Sequence, residues 1–232
     1  MARPTSATPA ACRLCPRLVA WREEAEGQLR EQAFTDNVTG LLNRHGWDDR
    51  ATALFDQARR HGTPLALILL DLDHFKRIND GYGHLIGDEV LLLIARLMRA
   101  SFRLNDQLYR FGGEEFVILL RCMQDSDAKA ALERFRVLVE QHEFPQVGHI
   151  TISIGYAALC ANDTPSEGFS RADKAVYYGK GHGRNQVCSY EELVRTGELV
   201  EEITSKQRQI GKVSELSCGY GGSVGAWSPG SG

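Results

Sequence analysis

Residues 108–120, LYRFGGEEFVILL, place two short apolar runs on either side of a turn that contains two glycines and two glutamates. Such runs around a glycine turn are typical of a β-hairpin, because adjacent glycines tolerate the positive φ angles of tight turns. The segment therefore predicts strands over residues 108–111 and 116–120. The turn also sets Glu114 beside Glu115, and adjacent carboxylates repel each other unless a cation neutralises them.

A second acidic position follows a run that has the character of a buried strand. Residues 65–70, LALILL, are wholly apolar and lead directly into Asp71, with Asp73 two residues further on. If this strand lies beside the hairpin, Asp71 and Glu114 converge, and carboxylates of this kind suit Mg²⁺ held together with substrate phosphates. Viewed alone, the hairpin acids are better explained as solvated turn residues, so the rest of the chain decides between these readings.

The remaining apolar patterns predict alternating helices and strands through the middle of the chain. A short helix is expected through Phe75 and Ile78. Longer helices are expected over residues 44–61, 87–103, 126–142 and 166–178, and strands over residues 150–157 and 186–189. This order predicts an α/β domain of the α+β kind, with a central, mostly antiparallel sheet flanked by helices.

The chain divides into three zones by composition. Residues 1–34 form an N-terminal segment whose charged pattern from Leu18 predicts a dimerising or signalling helix. Residues 35–189 form the compact domain. Residues 190–232 start as a polar helix and continue as a Gly- and Ser-rich tail, for which we predict disorder and assign no function.

Charge and apolar content limit the classes of partner. The net charge of −3 gives no global attraction to nucleic acid or to an anionic membrane. No apolar run approaches the roughly 20 residues of a membrane-spanning helix, and the N-terminus lacks a signal-peptide pattern. Six scattered cysteines, of which only Cys12 and Cys15 are close together, do not predict a disulfide framework. We therefore expect a cytoplasmic protein with neither nucleic acid nor membrane as a partner.

Two segments together resemble a known family signature. Residues 70–80, LDLDHFKRIND, and residues 110–116, RFGGEEF, are similar to the signature of the GGDEF family, the diguanylate cyclases. The same family order continues in residues 35–36 (TD), 39–41 (TGL), 43–44 (NR), 152–155 (ISIG) and 180–185 (KGHGRN). The resemblance covers residues 35–189 and implies the GGDEF fold, which is related to nucleotide cyclases and polymerase palms.

The resemblance implies an activity and a metal site. Family members condense two GTP molecules into cyclic di-GMP and two pyrophosphates, with Mg²⁺ or alternatively Mn²⁺ as the cofactor. By resemblance, Asp71 and Glu114 are metal ligands together with the carbonyl of Leu72, and Glu115 is a candidate for deprotonating the attacking 3′-hydroxyl. Glu114 stands where the family name has Asp, and the GGEEF form is among the family's active variants.

The resemblance also implies how the substrate is bound. Asn79 and Asp88 match the guanine-binding positions, and a carboxylate can accept hydrogen bonds from guanine N1–H and its exocyclic amine. Taken singly, they could instead be a capping Asn and a helix-start Asp. The positions that match phosphate contacts are His74, Phe75, Lys76, Gly112, Gly113, Lys180 and Arg184. Asp73 has two possible roles. On an extended strand its side chain would share a face with Asp71, and before a helix it could be the N-cap, which we favour.

A two-fold symmetric product made from one GTP per site implies a homodimer in which two chains face each other. Arg103 and Asp106 resemble the family's inhibitory product site for cyclic di-GMP, with Arg134 as a secondary contact. The alternative for this pair is an Arg at a helix C-terminus followed by a turn Asp. The alternative function is a catalytically silent module that binds GTP or cyclic di-GMP. A polymerase-like palm would need a basic nucleic-acid channel that this composition lacks.

Overall fold

The computed structural model of this chain describes residues 27, 33–121, 125–160 and 162–200. Five strands lie within these residues: β1 (Leu65–Leu72), β2 (Gln107–Gly112), β3 (Glu115–Arg121), β4 (Ile152–Ala158) and β5 (Val187–Ser189). Six helices accompany them: α1 (Arg44–His61), α2 (Phe75–Tyr82), α3 (His84–Ser101), α4 (Asp125–Gln141), α5 (Pro165–Gly181) and α6 (Tyr190–Arg195). The helices and strands predicted between residues 44 and 189 are confirmed, with ends that differ by no more than three residues, whereas the polar helix predicted from residue 190 ends at Arg195.

The strands form one sheet in the order β2-β3-β1-β4-β5. All neighbouring strands are antiparallel except β4 and β5, which are parallel, so the predicted mostly antiparallel sheet is confirmed. Every residue of β1 is buried. A central strand that is covered on both faces has no solvated side, which explains why residues 65–70 are uninterruptedly apolar.

Helices cover both faces of the sheet. One core cluster joins Leu70 and Ile154 to side chains of α2, α3 and α4. The other joins Leu67 and Leu69 to side chains of α1, α5 and α6. Because side chains alternate along a strand, Asp71 continues the row of Leu67 and Leu69 and belongs to the face that α1 and α5 cover.

Helix α5 packs closely on the sheet at one glycine. A Cβ added to Gly155 of β4 would lie 2.1 Å from the Val176 nitrogen and 2.4 Å from the Ala172 carbonyl oxygen. Only a residue without a side chain permits this approach of helix to strand. The helix begins after the capping box of Thr164 and Glu167, and its last turn carries Lys180 toward the end of β1.

Beyond residue 189 the chain continues to pack on the domain. Helix α6 buries Tyr190 and Leu193, and the Glu192 carboxylate lies 2.6 Å from the Lys129 ammonium of α4. Apart from Gly27, which is helical, the N-terminal helix predicted from Leu18 lies outside the described residues, as do Cys12, Cys15 and residues 201–232, so the boundaries of the three zones stay predictions.

Two further sequence expectations concern cysteines and membranes. Cys188 is a buried free thiol, whereas Cys160 is disulfide-bonded, a pairing that the spacing of the cysteines did not predict. Within the residues that the structure describes, no helix is both long and apolar enough to cross a membrane.

Candidate active site

The ends of β1 and β3 bring the predicted carboxylates together. Asp71 and Glu115 are direct partners in the antiparallel register, so their side chains share one face of the sheet. One residue further along, the Leu72 nitrogen donates to the Glu114 carbonyl at 3.3 Å. Asp71 is buried, Glu114 is half-buried and Glu115 is exposed. The four residues predicted from the sequence for metal binding and proton transfer therefore lie together where β1 ends beside the start of β3.

The electrostatics around these carboxylates favour a bound cation. The pKa of Asp71 is raised to about 6, first by burial and then by the charges of Glu114 and Glu115. Lys180 opposes these effects, because its ammonium nitrogen lies 2.6 Å from the Asp71 Oδ2 atom. Lys180 was predicted as a phosphate contact, and in this structure it partners the buried carboxylate.

A buried arginine, Arg110, stabilises the glycine turn through hydrogen bonds. Gly112 has a φ of 146° and Gly113 a φ of 54°, as a tight hairpin with two glycines predicts. The Arg110 Nε and Nη2 atoms donate to the Gly113 carbonyl at 3.2 and 2.9 Å. Its Nη1 atom donates to both Asp36 carboxylate oxygens at 2.9 and 3.0 Å. Arg110 therefore ties the turn to the segment that enters the domain, a role that the sequence analysis did not assign.

The start of α2 supplies part of the predicted phosphate site. His74 occupies the position before the helix with a φ of 60° and makes no side-chain capping bond. The side chain of Phe75 is buried, so only its main chain is available there, while Lys76 is exposed. The first amides of a helix have no partner within the helix, and they favour anions. Arg184, predicted as a further phosphate contact, is exposed in the loop after α5.

The two predicted guanine contacts come from α2 and α3. A Cβ added to Gly87 would lie 2.0 Å from the Asn79 Oδ1 atom, so the Asn79 side chain lies directly against Gly87. Asp88 is the next residue and is exposed. Because α3 begins at His84, Asp88 stands outside its first turn, which removes the helix-start interpretation. The close helix pair brings the amide and the carboxylate to neighbouring positions.

A pocket of about 250 Å³ lies beside the carboxylates, between the sheet and helices α1 and α5. Its lining includes Asp71, Glu115 and Lys180. The opposite wall is aromatic, since the rings of Phe111 and Phe169 stack with centroids 5.4 Å apart. The site therefore combines charged groups with an apolar wall.

Asp73 is engaged elsewhere, and the prediction that it caps α2 is wrong. Its buried carboxylate accepts hydrogen bonds from the hydroxyls of Thr151 and Ser153, both at 2.7 Å. It also accepts from the main-chain nitrogen of Asn185 at 3.0 Å. These partners lie 78 to 112 positions away along the chain and were not predicted from the sequence.

The candidate metal ligands are few. Among the residues that the structure describes, no group of three or more His, Cys, Asp or Glu side chains is arranged to hold a metal ion. The predicted set relies instead on the two side chains of Asp71 and Glu114 and on one main-chain carbonyl, that of Leu72.

Residues 33–186 match the family model described as diguanylate cyclase, GGDEF domain. The chain belongs to the GGDEF family. It is 41% identical over 171 residues to the diguanylate cyclase DgcP of Pseudomonas aeruginosa, an alignment that covers 72% of this chain and 25% of that protein. The chain spans 25% to 45% of the length of the curated relatives it matches.

Solved GGDEF domains share the fold. The coiled coil and GGDEF domain of DgcB from Caulobacter crescentus, in complex with c-di-GMP, superpose with a TM-score of 0.70 and 31% identity. That match covers 75% of this chain and 94% of the other. The active GGEEF domain of a diguanylate cyclase from Vibrio cholerae gives a TM-score of 0.60 and 36% identity, covering 65% of this chain and 97% of the other. The second protein carries the same GGEEF motif as residues 112–116.

In this GGDEF domain the candidate product site is a turn between α3 and β2. The buried Asp106 carboxylate accepts from the Arg103 nitrogen at 2.9 Å and from the Arg121 nitrogen at 3.2 Å. The side chains of Arg103 and Arg134 are exposed. Helix α3 ends at Ser101, so Arg103 lies beyond its last turn rather than within it. The turn therefore presents Arg103 to solvent while Asp106 holds the main chain.

Proposed function

We propose that this chain condenses two molecules of GTP into cyclic di-GMP and releases two pyrophosphates. The observation that carries the proposal is the meeting of Asp71, Glu114 and Glu115 beside the Lys180 ammonium at the ends of β1 and β3. Carboxylates in this arrangement suit a metal ion and a proton acceptor, and the ammonium suits a phosphate. Membership of a family whose relatives are named diguanylate cyclases supports the same chemistry.

The residues present fit a divalent metal, for which we propose Mg²⁺ with Mn²⁺ as an alternative. Asp71, Glu114 and the Leu72 carbonyl would hold it, and all three supply the hard oxygen atoms that these ions prefer. The raised pKa of Asp71, caused first by burial, supports a site that is completed by a cation. When bound, the metal would help to activate a hydroxyl and to offset charge on the leaving pyrophosphate.

The chain's own groups handle the proton and the leaving group. The 3′-oxygen of one GTP attacks the α-phosphorus of the other, and the bond from that phosphorus to pyrophosphate breaks. Glu115 takes the proton of the attacking hydroxyl, since it is exposed and shares a face with Asp71. Lys76, Lys180 and Arg184 neutralise the triphosphate. The triphosphate can come close to the main chain at Gly112 and Gly113, which have no side chains. The main-chain groups of His74 and Phe75 at the start of α2 also contact it.

Guanine selection is assigned to the α2–α3 pair. The Asp88 carboxylate accepts from guanine N1–H and the exocyclic amine, and Asn79 serves a neighbouring edge. Adenine offers no such pair of donors, so GTP is preferred over ATP. Because each chain holds one GTP, two chains face each other as a homodimer with their substrates antiparallel.

The protonation of Asp71 gives an expected pH dependence. Its pKa is raised from 3.8 to about 6 in the metal-free fold, so the protonated form of Asp71 stabilises the folded protein, and this stabilisation is lost as the pH rises from about 4 through about 6. Metal binding requires the ionised form, so affinity for Mn²⁺ should be constant above about pH 7 and fall about tenfold per pH unit below about pH 6. Direct Mn²⁺ titration without nucleotide measures this. The Lys180→Met variant should move the fall to higher pH, because Lys180 lowers this pKa. An affinity that is flat down to about pH 5 would contradict the assignment.

Feedback inhibition is proposed at the turn that presents Arg103, with Asp106 and Arg134. An arginine fork can hydrogen-bond the Hoogsteen edge of guanine, which is worth about tenfold or more in affinity. The Arg103→Ala variant should therefore keep its initial rate and raise the inhibition constant of added cyclic di-GMP by about tenfold or more. Arg96→Ala is the matched control, because Arg96 is an exposed arginine on helix α3, which precedes the turn of Arg103. An unchanged inhibition constant in Arg103→Ala would contradict the proposal that Arg103 binds the product.

The alternative function is a catalytically silent module that binds GTP or cyclic di-GMP. The intact glycine turn and the three carboxylates favour the enzyme over this alternative. Incubation of the purified chain with GTP and Mg²⁺, followed by nucleotide analysis, separates the two. Formation of cyclic di-GMP supports the proposal, with ATP as a control that should give no cyclic product. Bound but unconverted GTP would support the silent module.

A further inference from the structure

The carboxylate of Asp73 joins three segments that are distant in sequence. Its Oδ1 atom accepts from the Ser153 hydroxyl of β4. Its Oδ2 atom accepts from the Thr151 hydroxyl, just before β4, and from the Asn185 main-chain nitrogen in the loop after α5. Its own main-chain nitrogen donates to the Thr151 carbonyl at 2.9 Å. Asp73, the first residue after β1, is thus hydrogen-bonded both to the β4 segment and to the α5–β5 loop.

The loop that Asp73 holds has an unusual main chain. Three successive residues have positive φ angles, 106° at Gly183, 62° at Arg184 and 45° at Asn185. Residues with a side chain rarely adopt this conformation, and it persists only where surrounding contacts fix it. The Arg184 nitrogen donates to the Gly179 carbonyl at 3.0 Å, and the next nitrogen donates to Asp73. Asp73 therefore supplies one of the contacts that keep the loop in this shape.

The other side of the loop is fastened to helix α4. The Asn185 Oδ1 atom accepts from Arg136 at 2.8 Å, and its Nδ2 atom donates to Glu140 at 2.7 Å. The main chain of Asn185 is thus hydrogen-bonded to Asp73, and its side chain is hydrogen-bonded to α4. The loop begins near Lys180, which lies 2.6 Å from Asp71, and it carries Arg184. Of the two cations assigned to the triphosphate, Lys180 therefore lies just before the segment that Asp73 fixes, and Arg184 lies within it.

We propose that Asp73 is a positioning residue that fixes the loop of residues 182–185, and with it Lys180 and Arg184, for binding a nucleoside triphosphate. Asp73 acts through hydrogen bonds and does not bind metal. Both of its oxygens already accept hydrogen bonds inside the protein, and turning either toward a metal would leave donors of Thr151, Ser153 or Asn185 unpaired, which is unfavourable for buried groups. The inference rests on the proposed function in taking GTP as the ligand and Lys180 and Arg184 as its phosphate contacts.

Two substitutions separate positioning from metal binding. Asp73→Ala removes every acceptor and should weaken binding of a non-hydrolysable GTP analogue by about tenfold or more. Asp73→Asn should stay within about threefold of wild type. Its amide oxygen can still accept from Thr151 and Asn185, while its NH₂ group donates to the Ser153 hydroxyl, which can also act as an acceptor. A metal ligand would behave differently, because Asn lacks the negative charge and would lose as much as Ala.

The readout is isothermal titration with Mg²⁺ present, using the GTP analogue and GMP in parallel. GMP lacks the β- and γ-phosphates, so loss of loop positioning should leave its affinity within about twofold of wild type. The losses from Asp73→Ala and Arg184→Ala should not add in the double variant if Asp73 acts through that loop. Asn185→Gly keeps the main-chain N–H and the positive φ but removes the α4 anchors, and it should reproduce the selective loss even if Asp73→Ala does not fold.

The outcomes are distinguishable. Equal losses for the GTP analogue and GMP, additive losses with Arg184→Ala, or equal losses in Asp73→Asn and Asp73→Ala would each overturn the positioning role. A wild-type chain that binds neither nucleotide would overturn this role together with the proposed function. A chain that binds GTP in the expected pattern but makes no cyclic di-GMP would refute the cyclase proposal and leave the positioning role standing.

Discussion

Replacement of Asp71 by Asn is expected to lower the rate of cyclic di-GMP formation by about three orders of magnitude or more. The substitution keeps the size of the side chain and removes the negative charge that the proposed metal site needs. It also leaves the Lys180 ammonium without the carboxylate that now lies 2.6 Å from it. Steady-state assay of cyclic di-GMP by chromatography measures the effect.

Loss of activity in Asp71→Asn should not come from unfolding. Burial raises the pKa of Asp71, so the ionised carboxylate is disfavoured in the folded protein at neutral pH, and a neutral amide should leave the metal-free fold equally stable or more stable. Thermal unfolding without metal checks this. Asp56→Asn is the matched control, since Asp56 forms an exposed ion pair with Arg59 on α1 and should leave the rate unchanged. A rate within tenfold of wild type in Asp71→Asn would contradict its role as a ligand.

Substitution of Gly155 by Ala is expected to lower the free energy of unfolding by about 3 kcal/mol or more. The added Cβ would lie 2.1 Å from the nitrogen of Val176 and 2.4 Å from the carbonyl oxygen of Ala172, which are main-chain atoms of α5. A helix main chain cannot yield locally as a flexible side chain can, so α5 must move away from β4. Because α5 carries Lys180, activity should fall in the fraction that stays folded.

Urea denaturation of the metal-free protein measures this loss. Gly81→Ala provides the opposite expectation from the same chemical change, because a Cβ at Gly81 meets nothing within 4 Å and the residue lies in helix α2. It should stabilise the fold by roughly 0.5–1 kcal/mol. A Gly155→Ala protein as stable as wild type would mean that α5 does not pack on β4 as described.

The sequence predicted the sheet because its strongest signals are local. The unbroken apolar run of residues 65–70 identifies a strand covered on both faces, and the two glycines at 112 and 113 identify a hairpin turn. Once these strands are neighbours, Asp71 and Glu115 must meet, because both terminate the same antiparallel pair. The strand pattern, together with the family resemblance, therefore predicts the group of carboxylates formed by Asp71, Glu114 and Glu115.

What the sequence did not predict depends on contacts between distant segments. Alternation along β1 assigns Asp73 to the face of Asp71, but it carries no information on the hydroxyls of Thr151 and Ser153 that its carboxylate accepts from. The bidentate pair of Arg110 with Asp36 spans 74 positions and is equally invisible to local patterns. Helix bounds also moved for a physical reason, since Gly83, with a φ of 85°, lets α3 start directly after α2.

The central claim is that two chains, each holding one GTP beside Asp71, Glu114 and Glu115, form cyclic di-GMP. The most direct test is quantitative nucleotide analysis of reactions with GTP and Mg²⁺ over a range of protein concentrations that spans the monomer–dimer equilibrium. The claim predicts one cyclic di-GMP and two pyrophosphates for every two GTP consumed, with a rate that rises faster than linearly while dimers form. A rate strictly proportional to the concentration of a proven monomer, or GTP that binds and is never converted, would contradict it.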